Sequence, residues 1–117
     1  MLSADSVGRG GFISTAEDLL RFGRGIISGG LLKPKTVELL LTPQRTKDGE
    51  PTGYAIGWGA TIDDHGRRRV GHGGGSVGGK AQFVIYSDSK VILAMMINTG
   101  SLDLEELPFE IAGLFVE

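Results

Sequence analysis

The chain has 117 residues, no cysteine, and 12 basic against 14 acidic side chains, which gives a formal net charge of -2. This length fits a single domain over residues 1–117, and the charge gives no general attraction to nucleic acid or to anionic membranes. The lack of cysteine excludes disulfides and thiolate chemistry, and no apolar run reaches the roughly 18 residues that a membrane-spanning helix needs. Residues 1–9 are polar and small and lack the apolar segment of an export signal, so we expect a loose lead-in there.

Two helices are predicted in the first third of the chain. Residues 14–17, Ser-Thr-Ala-Glu, fit a capping box with Ser14 as the cap and Glu17 returning the bond. Apolar residues at helical spacing follow, and Gly29-Gly30 favours a stop. Pro34 suits the first turn of a second, shorter helix that ends at Thr42-Pro43.

The rest of the chain predicts strands and one more helix. Residues 54–62 alternate bulky with small side chains, and a basic strand, residues 67–70, follows a turn. Residues 81–86 and 91–97 are rich in β-branched and apolar residues and are joined by a polar turn. Both alternating sets of residues 91–97 are apolar, so helices must cover both faces of the sheet. A terminal helix from about Leu104, with Pro108 in its first turn, would cover one face. The predicted fold class is α+β, an antiparallel β-sheet flanked by helices.

A glycine-dense loop, residues 71–79, surrounds His72 and Ser76 and is suited to holding a ligand. Residues 73–78 fit a dinucleotide-binding pattern by letter, and residues 74–80 fit a phosphate-loop pattern except that Ala81 replaces the required Ser or Thr. Both patterns need a helix after the glycines, whereas residues 81–86 predict a strand. His65 and His72 are seven positions apart without cysteines or a helical pair, so we predict no metal and no cofactor.

Taken together, several segments resemble the serine β-lactamase and DD-peptidase superfamily. The similarity is strongest to its class C-like branch, which includes esterases, D-aminopeptidases and penicillin-binding-protein-like hydrolases. It covers nearly the whole chain and implies the C-terminal part of a β-lactamase/transpeptidase-like fold. The segments that carry it, in order, are residues 10–19 (GGFISTAEDL), residues 54–58 (YAIGW), residues 71–79 (GHGGGSVGG) and Asn98 after the last strand.

In that family, a Lys-Thr-Gly or His-x-Gly triplet lies on an edge strand that lines the active site, and His72-Gly73-Gly74 matches the second form. The resemblance implies that His72 moves protons or orients the leaving group, with Gly74 completing the catalytic triplet. It also implies that the Gly75 N–H contributes to the oxyanion hole, and that Gly73 and Ser76 contact the substrate. Gly73 lacks the hydroxyl that relatives use on a substrate carboxylate. An ester or a peptide substrate is therefore at least as plausible as a penicillin.

The family's nucleophile is the serine of an S-x-x-K at a helix start, assisted by a Tyr-x-Asn triplet, and both precede the segments found here. Residues 87–90, Ser-Asp-Ser-Lys, match the first motif by letter but fall in a predicted turn. We therefore expect a fragment that is inactive alone and acts on a small-molecule or peptide substrate only with its missing half. A non-catalytic binding or assembly module remains an alternative.

The resemblance also bears on partners and compartment. In the family arrangement, strands from the missing half pair with the strand equivalent to residues 91–97, so this apolar edge would lie unpaired. We expect it to bind the missing half or a second copy, or else to aggregate. The family suggests the cell envelope or a secreted location, which the residues themselves do not specify.

Overall fold

The structure is a computed structural model that describes residues 12–116. Its four strands form one antiparallel sheet in which each strand pairs with its neighbour in sequence. This α+β arrangement confirms the predicted fold class. The expected lead-in, residues 1–9, lies outside the described residues. The elements are α1 (Ala16–Ile27), α2 (Pro34–Leu41), β1 (Gly59–Ile62), β2 (Arg68–Ser76), β3 (Gly79–Tyr86), β4 (Val91–Ile97) and α3 (Leu107–Gly113).

Helix α1 begins one residue later than the capping-box prediction. Thr15, not Ser14, is the N-cap, and its Oγ1 accepts the Asp18 N–H at 3.1 Å. Glu17 does not return a bond to the cap but forms an ion pair with Arg21 one turn further on. An N-cap oxygen needs only a backbone N–H three residues on, so Thr15 can cap the helix without an acidic side chain that returns the bond.

The sheet is covered on both faces, as the two-sided apolar pattern of β4 predicts. One core cluster lies between the sheet and the first two helices, and the other lies between the sheet and α3. Gly23 lets α1 approach closely, since a Cβ there would lie 3.0 Å from Phe83 Cζ and 3.1 Å from Ile92. The buried members of the first cluster are Ala55, Trp58, Ala60, Val70, Phe83 and Ile85, and those of the second are Val84, Tyr86, Ala112 and Val116.

The prediction of one strand over residues 54–62 is wrong in its first half. Gly57 has φ 85°, and the Ala55 N–H donates to the Trp58 carbonyl at 2.7 Å, so this part forms a tight turn. Ala55 and Trp58 are buried while Tyr54 and Ile56 are exposed, which breaks the expected alternation. Only Gly59–Ile62 remains as β1.

The predicted glycine loop is also wrong, because β2 continues through it to Ser76. Only Val77 and Gly78 lie between β2 and β3, and Gly78 takes φ 79°, which suits a two-residue turn. The region is therefore the tip of a β-hairpin.

The terminal helix is shorter than the apolar spacing predicts. It begins at Leu107 instead of near Leu104, with Pro108 buried in its first turn, as expected. The helix ends at Gly113, and its buried residues are Pro108 and Ala112. Leu114 and Phe115, which follow the helix, are 83% and 70% exposed. Among residues 12–116, no helix has both the length and the apolar character to cross a membrane.

Candidate functional site

The outer segment of β2, residues 72–76, is an open sheet edge within the described part of the chain. Strand β1 pairs with β2 only from Arg68 to Gly71. Beyond that point β2 pairs only with β3, from His72↔Phe83 to Ser76↔Gly79. The His72-Gly73-Gly74 triplet thus lies on a segment of β2 that pairs with β3 and, among the described residues, has no strand on its other side.

The direction of the backbone groups follows from the β1–β2 turn. The Asp63 N–H donates to the Arg67 carbonyl at 3.0 Å, so Arg67 faces β1. Backbone groups of alternate residues in an antiparallel strand point to the same side, and the register of β2 is continuous. Gly73 and Gly75 therefore turn their N–H and C=O groups toward the open edge, whereas those of Gly74 face β3. The open edge offers two neighbouring glycine N–H donors.

The His72 ring is held by its own strand. Its Nδ1 lies 2.7 Å from the Gly73 carbonyl oxygen. A carbonyl oxygen only accepts, so Nδ1 carries the proton, and Nε2 of the neutral ring is left as an acceptor. The Tyr54 ring contacts the imidazole edge-on, with 6.4 Å between ring centroids. The His72 side chain is exposed to solvent.

Gly74 and Ser76 lie on the same face of β2 as His72. A Cβ added to Gly74 would have no heavy atom within 4 Å, so this face of the strand is open beside the imidazole. Ser76 is four residues along an extended strand, about 14 Å from His72 at ~3.4 Å per residue. Ser76 and His72 are therefore too far apart to act as a nucleophile and base pair.

Gln82 belongs to this site, although the sequence analysis did not identify it. A Cβ on Gly73 would overlap the Oε1 of Gln82, and a Cβ on Gly71 would lie 3.7 Å from its Nε2. The Gln82 amide thus covers these glycines on the face opposite His72. The available signal was one amide in the otherwise apolar run of residues 81–86.

Tyr54 is the second residue that the sequence analysis missed as part of the site. Its contact with His72 depends on the tight turn at Gly57, which a strand prediction could not produce.

Behind the tip of the hairpin, on the Gln82 side, lies a cleft of ≈ 220 Å³. It is lined by Gly74, Gly75, Lys80, Ala81, Gln82, Asp103, Leu104 and Glu105.

The three consecutive arginines of the basic strand bind groups of this chain. Arg67 Nε donates to Asp63 at 2.7 Å, and its Nη1 donates to the Val116 carbonyl at 3.2 Å. Arg68 pairs with Asp88 and Glu38, which raises its pKa. Arg69 lies over the Phe109 ring at 4.2 Å. Burial alone would raise the pKa of Asp63, but hydrogen bonds from the Arg67 and His65 N–H groups and from the Arg67 side chain lower it to about 2. These charges hold the β1–β2 turn to its neighbours.

Two alternative motifs lack the structural setting that they require. The phosphate-binding patterns need a helix after the glycines, whereas β3 begins at Gly79. Residues 87–90 form the turn between β3 and β4, where Lys90 takes φ 58°. An S-x-x-K nucleophile needs a helical turn to hold its lysine over the serine, so these residues are hairpin residues, as predicted.

The Beta-lactamase family model matches residues 1–112, almost the whole chain. A search of curated proteins finds no match.

Proposed function

Because this chain belongs to the beta-lactamase family, we propose that it forms the His72 wall of a serine hydrolase site whose nucleophile comes from another segment of polypeptide. The reaction is acyl transfer to that serine followed by hydrolysis of the ester intermediate. The observation that supports this most is the open edge of β2, where Gly75 directs its N–H away from β3 on the strand that also carries His72.

The Gly75 N–H serves as one donor of the oxyanion hole. A donor that is fixed in a strand needs no reorganisation when negative charge develops on the substrate oxygen, and such a donor contributes about 3 to 4 kcal/mol to transition-state stabilisation. Gly74 supports this role by leaving open space on the His72 face, where a substrate can lie against the strand. Ser76, at the end of the same face, lines the far end of the substrate site.

His72 acts as the proton-transfer group or orients the leaving group. Its Nδ1 is engaged by the Gly73 carbonyl, so Nε2 is the atom that exchanges a proton with substrate. Tyr54 limits the rotation of the ring by its edge-on contact.

The substrate is an ester or a peptide in preference to a penicillin. Gly73 offers no hydroxyl for a carboxylate, and Gln82 fills the space on the other side of that glycine. Polar recognition at this point therefore falls to the backbone groups of the open edge and to the Gln82 amide.

Two assays test the proposal. The isolated chain, exposed to a fluorophosphonate, a nitrophenyl ester and a chromogenic cephalosporin, should show neither turnover nor a mass increase on any serine. A chimera, in which this chain replaces the matching C-terminal segment of an active beta-lactamase family member, should hydrolyse a nitrophenyl ester. The change His72→Ala in the chimera should lower kcat by about a hundredfold or more. Labelling of a serine in the isolated chain, or full activity of the His72→Ala chimera, would contradict the proposal.

A non-catalytic module is the competing function, and one observation favours it: Ser76 lies too far from His72 to be activated by it. A module of this kind predicts a chimera that folds but does not turn over any of the three substrates. It also predicts ligand binding that His72→Ala leaves unchanged.

A further inference from the structure

The tip of the β2–β3 hairpin, which carries Gly75, has few side chains that could hold it in place. Within residues 71–79 only His72, Ser76 and Val77 carry a Cβ, and Val77 is fully exposed. The last pair of the ladder before the two-residue turn is Ser76↔Gly79. Glycine-rich ends of hairpins have low local stability, so this tip needs a further contact to stay fixed.

The ladder holds Gly75 only through its neighbours. Gly75 lies opposite Lys80 in the register. Because the backbone groups of Gly75 point toward the open edge, this pair exchanges no ladder bond, and the nearest bonds to β3 are those of Gly74 and Ser76. Movement of the tip would therefore change the direction of the Gly75 N–H. An oxyanion donor is effective only when its direction is fixed before the reaction.

Lys80 is the side chain that connects the tip to the rest of the fold. A Cβ on Gly75 would lie 3.8 Å from the Cγ of Lys80, so the stem of Lys80 lies along Gly75 on the face opposite His72. The Lys80 Nζ donates to the Leu102 carbonyl at 2.9 Å. The segment that accepts this bond is itself anchored, because Leu104 is only 6% exposed. One side chain thus joins the hairpin tip to the segment before α3.

The bond from Lys80 also spans the cleft of ≈ 220 Å³ behind the tip. Gly74 and Gly75 line one side of this cleft, and residues 103–105 line the other. Hydrogen bonds from a charged donor are stronger than those between neutral groups. The contact with Leu102 therefore sets how far the glycine edge lies from the opposite wall of the cleft.

We propose that Lys80 is a positioning residue that fixes the direction of the Gly75 N–H for catalysis. The inference rests on the proposed function, in which that N–H is a donor of the oxyanion hole. Lys80 acts through two contacts: its stem supports Gly75 from below, and its ammonium ties the tip to Leu102. Both contacts involve only described residues of this chain.

Nitrogen-15 relaxation of the backbone amides in the isolated chain tests the positioning role directly. The order parameter of the Gly75 N–H should be near the rigid value of about 0.85 in the unmodified chain and should fall to about 0.6 in Lys80→Met. Methionine keeps most of the apolar stem and removes the donor. The amide of Ile85, at the centre of the sheet, should stay near 0.85 in both, since only the tip loses its contact.

Kinetics of the ester-hydrolysing chimera test the consequence for catalysis. Lys80→Met should lower kcat about tenfold and leave KM within about twofold, because the donor acts in the transition state. Lys80→Arg keeps a charged donor and should retain most of the rate. Lys35→Met removes a lysine from α2 and is the matched control, with unchanged kcat expected. The loss in Lys80→Met should persist in 1 M salt, where the Debye length is about 3 Å and a direct charge effect would be screened.

The two measurements separate this inference from the proposed function. An equal Gly75 order parameter in Lys80→Met and the unmodified chain would overturn the positioning role. So would an unchanged kcat, a loss that disappears in 1 M salt, or an equal loss in Lys80→Arg. Absence of turnover in the chimera of the unmodified chain contradicts the proposed function instead, and the order parameter then still decides whether Lys80 fixes the Gly75 N–H.

Discussion

Two glycines on the same face of β2 should lose different amounts of stability on the same substitution. In Gly71→Ala the new Cβ would lie 2.6 Å from the backbone oxygen of Phe83. Backbone in the centre of a sheet cannot move without disturbing the ladder, so we expect a loss of about 1 to 3 kcal/mol in the free energy of unfolding. In Gly73→Ala the overlapping atom is the Oε1 of the flexible Gln82 side chain.

The Gly73→Ala change should therefore cost little. Moving Gln82 to a strained rotamer costs about 0.5 to 1.5 kcal/mol, and the lower entropy of the unfolded alanine chain returns about 0.4 to 1 kcal/mol. The net change should lie within about 1 kcal/mol of zero. In a Gln82→Ala background the overlap disappears, and Gly73→Ala should then stabilise the chain, whereas Gly71→Ala should remain as costly as before.

Urea unfolding at one fixed protein concentration, followed by the fluorescence of the single tryptophan, Trp58, measures these differences. The three single variants and the two double variants form the set. The reasoning fails if Gly71→Ala is no more costly than Gly73→Ala. It also fails if Gln82→Ala does not change the effect of Gly73→Ala, because Gln82 would then not be the group that requires glycine at this position.

Three further predictions concern stability. Thr15→Ala should lower the free energy of unfolding by about 1 kcal/mol while Ser14→Ala leaves it nearly unchanged, and the reverse order in urea unfolding would restore Ser14 as the cap. Because the pKa of Asp63 is lowered in the folded chain, its ionised carboxylate stabilises the fold at pH values above the ordinary pKa of 3.8. This contribution is lost as the pH falls toward about 2. Melting temperatures of Asp63→Asn should accordingly fall less between pH 4 and pH 2 than those of the unmodified chain, and equal falls would contradict this role. Gly23→Val should cost about 1 to 3 kcal/mol because α1 cannot move away from the sheet, and an unchanged melting temperature would show that it can.

The sequence predicted the elements whose signals are local and repeated. The capping-box pattern of residues 14–17 and the apolar spacing after it predict α1, although the cap itself is Thr15 and not Ser14. Pro34 predicts the first turn of α2, and the two-sided apolar pattern of β4 predicts a covering layer on both faces. Each of these signals depends on a few neighbouring residues and on which side chains are buried, and the folded chain keeps both the local pattern and the burial.

The errors occurred where glycine allows more than one conformation. Gly57 takes a positive φ and turns the chain within residues 54–58, while the glycines of β2 remain extended although they were predicted to form a loop. Glycine content alone cannot distinguish a turn from an extended strand, because the glycines of β2 are extended only through their pairing with β3. The contacts of Gln82 and Tyr54 with the site depend on this pairing and on that turn, and so neither could be predicted. The roles of His72, Gly74 and Gly75 came only from the family resemblance and stay predictions.

The direction of the Gly75 N–H is the feature on which the proposed hydrolase site depends. Gly75→Pro removes this donor at an edge position where proline can be accommodated, and Gly75→Ala keeps the donor as a matched control. Initial rates of nitrophenyl ester hydrolysis by the two chimeras compare them directly. We predict that Gly75→Pro lowers kcat by about a hundredfold to a thousandfold relative to Gly75→Ala. Equal rates in two folded chimeras would contradict the assignment of this strand edge to the oxyanion hole.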